Sequence, residues 1–347
     1  MTSLDNLHLI NNLVLQNAPL IKNSGLMKGK MGISIYLFHL SRKMDETIFR
    51  EQAENLIDDL YKEVGNNSLP TDFGNGLAGI VWGIDHLIHN GFLDADPDEI
   101  FADADDKIFQ FITNQNEIPL NLEGGLLGYG FYLLARLKNK QLENADGRDY
   151  ILLRLLIDII NKVYDFVEAK ENQLLEPLAF KITWILPLTL IFLAEVMHLK
   201  IHQQKISRIL ERLSIIVLSL IPIRHSHRLY LATSIEMVLK YQELPQWREH
   251  FILLKDNFNP EILLSEFPDK NLTLSEGISG ICPILINSNN ICDKNELLFK
   301  IGDKIDNSSF WNELNNREQF LPAHISLSKG IAGIGLALNI ISHEISS

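Results

Sequence analysis

The chain has two cysteines in 347 residues, Cys282 and Cys292, too few for a disulfide framework. It is also short of positive charge. Lys and Arg number 31 against 44 Asp and Glu, a formal net charge of −13. Phosphate recognition needs a basic face, so nucleic acid is excluded as the main partner. A neutral or cationic peptide suits this balance better. Long apolar runs are missing too. The longest, Trp184 to Val196, is broken by Pro187 and Glu195 and is too short to span a bilayer. The N-terminus, Met1-Thr-Ser-Leu-Asp-Asn-Leu7, carries neither the basic stretch nor the apolar core of a signal peptide. A cytoplasmic location is expected. No Pro-, Ser- or Gly-rich linker divides the chain, and 46% hydrophobic content supports one large core. One domain over residues 1–347 is expected.

What is present is a repeated glycine pair at the head of an apolar stretch. It occurs at Gly29/Gly32, Gly76/Gly79, Gly125/Gly128, Gly277/Gly280 and Gly330/Gly333. The second glycines are separated by 79 − 32 = 47, 128 − 79 = 49, 280 − 128 = 152 and 333 − 280 = 53 residues. The long interval equals three steps of about 51, so two copies have lost their glycines and the chain holds seven units of roughly 50 residues. The best candidates for the lost copies begin at Thr183-Trp184 and at Leu229-Tyr230. Glycines three apart share one helical face and admit a neighbouring backbone closely. These ten glycines are therefore read as structural.

Between the glycine-headed stretches lie amphipathic segments with apolar residues at helical period, such as Ile48, Ala53, Leu56, Ile57 and Leu60. No strand pattern is found. Each unit thus pairs an apolar helix with an amphipathic one, and neither buries itself alone. An open solenoid should have atypical end repeats. Here the first and last copies are intact and the degenerate ones lie in the middle. The spacing predicts an all-α, closed α/α toroid of seven inner and seven outer helices. The turns before the inner helices should converge at one end. Residues just ahead of each first glycine should line a shared cavity there: Asn75, Glu123, Ser275 and Lys329, joined by Asn121, Thr183 and Trp184.

Seven glycine-headed helices at this spacing, with wording such as Gly-Leu-Ala-Gly79 and Gly-Ile-Ala-Gly333, resemble the lanthionine synthetase C-like family over almost the whole chain. The resemblance implies an α/α toroid. It also implies a role in maturing ribosomally made peptides, where a cysteine thiol adds to a dehydroamino acid. In the family a zinc ion held by two cysteines and a histidine activates that thiol. This chain departs from the pattern. Ser275-Glu276 stands where the sixth repeat of the family has Cys-His. Arg224-His225-Ser226-His227-Arg228 stands where the fifth has Trp-Cys, Thr183 where the fourth has His, and Asn121 where the third has Asp. No metal site and no cofactor are therefore expected. A substitute set of His225 or His227, Glu276 and His324 can be written, against the plainer reading of ordinary loop residues. Cys282 is expected to pack as a small hydrophobe.

Three functions follow. The first is binding of a precursor peptide with ring closure free of zinc, using Glu276, His227 or His225 as base and Arg224 to steady the enolate. The second is a non-catalytic scaffold that holds the peptide for a dehydratase or another tailoring enzyme. The third, from the fold alone, is a glycan-processing toroid with a carboxylate pair drawn from Asp72, Glu123 and Glu276.

Overall fold

A computed structural model describes residues 3–44, 46–65, 69–140, 142, 145, 147–316 and 322–346. Helices dominate, and no strand occurs among the described residues. The seven inner helices are Lys30–Met44, Leu77–His89, Leu126–Leu137, Ile185–His198, His225–Leu239, Ile281–Asn287 and Ile331–Ser346. Each packs on the next, and the seventh packs on the first, so the ring closes. The outer helices Thr47–Gly65, Ala102–Asn114, Gly147–Ala169, Gln203–Ser219, Pro245–Asp256 and Lys294–Asp306 follow their inner partners in sequence. The seventh outer place is filled from the start of the chain. Helix Ser3–Asn17 packs against both the last inner helix and Lys294–Asp306. The architecture is an α/α toroid.

Sequence dictates which helix goes where. The first inner helix is apolar nearly all round and buries Met31, Ile33, Ile35, Tyr36, Leu37, Phe38 and Leu40. Its outer partner buries one stripe, Phe49, Ala53, Leu56, Ile57 and Leu60. A helix apolar on every side belongs in the interior, and one with a single stripe belongs on the surface. Three inner glycines bring neighbouring helices close: Gly83 faces Met31, Gly130 faces Phe192 and Gly335 faces Tyr36. Closure is fastened by polar clasps. Buried Asn6 donates to the Asp306 carbonyl and carboxylate (3.2 and 3.1 Å), and the Tyr36 hydroxyl donates to Asn11 Oδ1 (2.5 Å).

One sequence expectation shifts. The fifth inner helix begins at His225 rather than near Leu229, so His225 and His227 lie in its first turn instead of a preceding loop. The second outer helix is preceded by a short one, Pro97–Ile100, and the two are jointed at Phe101.

Candidate functional site

The turns that enter the inner helices converge at one end of the barrel and are stitched together by backbone hydrogen bonds. Phe73 and Gly74 N–H both donate to Glu123 O (2.9 and 2.8 Å), and Met27 N–H to Gly74 O (2.8 Å). Ser328 N–H donates to Met27 O (3.0 Å), Ser275 N–H to Ser328 O (2.9 Å) and Ile182 N–H to Ser275 O (3.0 Å). The circuit runs through units three, two, one, seven, six and four. Unit five is skipped. Among the described residues no backbone bond joins 122–124 to 181–184, so the circuit has one open seam.

The glycines make this circuit possible. In all five intact copies a Cβ built on the second glycine falls inside the 3.0 Å limit of real contacts, against the carbonyl oxygen of the residue six before it. Those residues are Leu26, Phe73, Leu122, Leu274 and Leu327. Each entering turn therefore folds back onto its own helix start. The same five apolar side chains form a collar around a cavity of about 350 Å³. The collar interlocks: Leu26 Cβ abuts Gly79, Phe73 Cβ abuts Gly128, Leu274 Cβ abuts Gly333 and Leu327 Cβ abuts Gly32. Below it, the wall is mainly apolar, with Trp82, Phe131, Ile191, Tyr230, Met237 and Ile284.

Units four and five have no glycine pair and do not fold back. Residues 170–184 instead cross in front of the fifth helix to reach Ser275. On the way Phe180 packs its ring edge against Gly280, the place that a unit-five collar residue would take. Phe180 also stacks on His227 (centroids 5.9 Å) and meets Phe267 edge-on (5.4 Å). Trp184 covers His227 from another side (5.0 Å) and donates its indole N–H to Leu174 O and Leu175 O (both 3.0 Å).

The sequence-derived catalytic candidates bond to other partners and not to one another. His227 is fully buried; its Nδ1 lies 2.8 Å from Glu176 Oε1 and its Nε2 has no partner. Burial pushes its pKa down, against the opposing pull of Glu176. His225 Nδ1 accepts from Asn259 N–H (2.9 Å). Arg224 Nε donates to Leu178 O (2.9 Å). Glu276 pairs with Lys329 on the exposed rim (2.9 Å). Among the described residues these candidates make no hydrogen bond or ion pair with one another. His324 lines a small pocket with Lys270, Phe310 and Lys329. No group of three His, Cys, Asp or Glu among the described residues could hold a metal ion. His227, whose Nε2 has no partner, is walled off by two aromatic rings. These residues do not fit the zinc of the family that the sequence resembles.

Of the expected cavity residues, Glu123, Thr183 and Ser275 do line the wall. Asn75 and Lys329 do not, because the two residues between collar and glycine diverge. Met27, Glu123, Ser275 and Ser328 face the cavity, whereas Lys28, Asn75, Gly124, Glu276 and Lys329 are absent from its lining. Asn121 caps its own turn, accepting from Gly124 N–H (2.9 Å). Trp184 and Asn121 line a separate groove of about 400 Å³ at the open seam. Of the carboxylates considered for glycan chemistry, Asp72 Oδ1 caps its turn at Asn75 N–H (2.7 Å), Glu123 lines the cavity beside that turn, and Glu276 is held by Lys329. Cys282 is fully buried, which pushes its thiol up to about 12.

Sequence reasoning missed Glu176 and Glu266. Glu176 accepts from the N–H groups of Ile223 and Arg224 (3.1 and 3.3 Å). Glu266 accepts from His225 N–H, Ser226 N–H (3.1 Å) and Ser226 Oγ (2.6 Å). Two carboxylates from elsewhere thus satisfy the exposed donors and positive end of the fifth inner helix. No local motif announces them. The collar did have a signal, Leu/Phe-x-x-Gly-x-x-Gly, in all five intact copies.

At its far end the lumen turns polar, with Asp85, His86, His89, Lys138, Glu195 and His198 around a second space of about 360 Å³. His86 Nε2 lies 3.0 Å from His39 Nε2 and its ring stacks on Trp82. Among the described residues, no helix is long and apolar enough to cross a membrane.

No family model matches this chain, and neither does any curated protein. Solved structures do match. One is a nisin cyclase, superposing with a TM-score of 0.68 at 15% identity, over 97% of this chain and 94% of that one. At that identity the likeness establishes the toroid fold that the two proteins share.

Proposed function

We propose that this chain is a peptide-binding protein of ribosomal peptide maturation, which holds a precursor peptide at the turn end of its barrel and does not itself close rings. The observation that carries this is the crossing of the fifth unit by residues 170–184. It buries His227 and engages Arg224 through Leu178 O, while His225 is held by Asn259 and Glu276 by Lys329. What stays open at the same end is an apolar collar, a cavity and a groove that joins it at the one unsealed seam, sharing Leu122, Glu123 and Thr183 with the cavity. The adjoining rim exposes Leu175, Leu178, Ile221 and Ile223, an apolar patch of the kind that marks interaction surfaces. A dehydratase or other tailoring enzyme is the proposed user of the held peptide, and no cofactor is assigned.

The test is fluorescence anisotropy with a labelled synthetic peptide containing cysteine and dehydroalanine, alongside an assay of thiol consumption. Saturable binding is expected, weakened about tenfold or more by Leu122→Asp at the collar, with thiol loss no faster than in buffer. Binding indifferent to Leu122→Asp would contradict the placement. Accelerated thiol loss that disappears in His227→Gln would restore the catalytic reading.

A further inference from the structure

We propose that the cavity beneath the collar is a binding site for one aromatic ring carrying a hydrogen-bond donor, of the indole class. We identify its natural occupant as a side chain of the docked peptide; that identification alone rests on the function proposed above.

Size and polarity come first. An apolar cavity of about 150 Å³ stays dry and takes up benzene. This one is more than twice that volume, within the range of small-molecule sites. Its wall is built by residues of all seven units, so it is a property of the closed ring and not of one loose contact. Phe73, Trp82, Phe131 and Tyr230 supply faces and edges for ring packing.

The second observation is an orphaned hydroxyl. Helical Ser and Thr can return their hydroxyl to the carbonyl three or four residues back. Ser34, Thr113, Thr189 and Ser214 all do so here, at 2.8–2.9 Å. Thr233, on the fifth inner helix and on the cavity wall, does not. It is 1% exposed, and its Oγ1 has no partner. Ser275 Oγ, on the same wall, is likewise buried and unpartnered. Such groups are costly to leave unsatisfied. Each oxygen is covered by its neighbours, so a ligand N–H satisfies one of them once a χ1 rotation turns it to the cavity, whereas a purely aliphatic occupant satisfies neither.

The third is access. The open seam between the third and fourth entering segments joins the groove to the cavity mouth through Leu122, Glu123 and Thr183. A chain lying in the groove could therefore lower one side chain through the collar.

Indole and indene, which differ in the ring N–H, separate these elements by calorimetric titration of the full chain. Stoichiometric indole binding is expected, with indene weaker. Thr233→Val should reduce indole affinity by roughly 3–10-fold, the worth of one hydrogen bond, and leave indene unchanged. Ser275→Phe and Ser328→Phe fill the cavity from two different units, so a failure of one to fold leaves the other; either should abolish binding of both rings. No saturable indole binding, or indole binding intact in the folded filling variants, would overturn the site. Equal loss of indole and indene in Thr233→Val would overturn the hydrogen bond. Peptide binding without indole binding would refute this inference and leave the proposed function standing. Indole binding without peptide binding would do the reverse.

Discussion

At the scale of single residues, glycine and histidine carry the account in opposite ways. Gly79 is held between the Phe73 carbonyl and Leu26 Cβ, so Gly79→Ala must push backbone against backbone. A loss of about 2–4 kcal/mol is expected by urea unfolding. Gly65, at the end of an outer helix, has nothing within 4 Å of a built Cβ. There Gly65→Ala should gain up to about 1 kcal/mol. His227 is a core residue, so His227→Ala should cost about 2–4 kcal/mol by removing a buried ring and its bond to Glu176. Glu276→Gln, at a half-exposed ion pair, should change stability by less than about 0.5 kcal/mol. Equal effects from these two would contradict a core role for His227 and a rim role for Glu276. The glycine spacing was legible because a close-approach rule leaves a period in the sequence. The roles of His225 and His227 were not, because the groups that hold them, Glu176, Glu266 and Asn259, lie 34 to 51 residues away. The divergence of Ser275 from Glu276 was equally hidden, since it depends on how the turn folds back.

At the scale of elements, the informative piece is the segment 170–184. Where glycines are intact, each entering turn doubles back and contributes one collar residue. Where they are lost, one long crossing serves two units and delivers Phe180 to the vacant collar place. The lost glycines and the changed path coincide in the same two adjacent units. Sequence reading could place the missing copies by arithmetic but could not see this path, because nothing local directs Ile182 toward Ser275 across a whole unit. Phe180 is 3% exposed and touches Gly280, Phe267 and His227. Phe180→Ala should therefore cost about 3–5 kcal/mol, and its effect should be strongly non-additive with His227→Ala in a double-mutant cycle. Additive losses would mean that the crossing is not packed as a unit.

At the scale of the whole molecule, closure makes one end apolar and the other polar. His86 at the polar end is held near about 4 by burial, with His39, His89 and Lys138 adding repulsion. Its folded pKa is below the ordinary 6.5, so the fold favours the neutral ring. That contribution is complete above about pH 6.5 and is lost as pH falls toward 4. Stability should drop across this window, and His86→Asn should lower the slope by up to about one proton, seen in urea midpoints against pH. An unchanged slope would refute the assignment. The central claim is that function sits on the collar and cavity rather than on the buried fifth-unit histidines. Hydrogen exchange with and without the cysteine–dehydroalanine peptide tests it most directly. Slowed exchange is predicted in the entering turns around Met27, Gly74, Glu123, Ser275 and Ser328, with no change at 224–228. Protection centred on 224–228, with the turns unaffected, would contradict it.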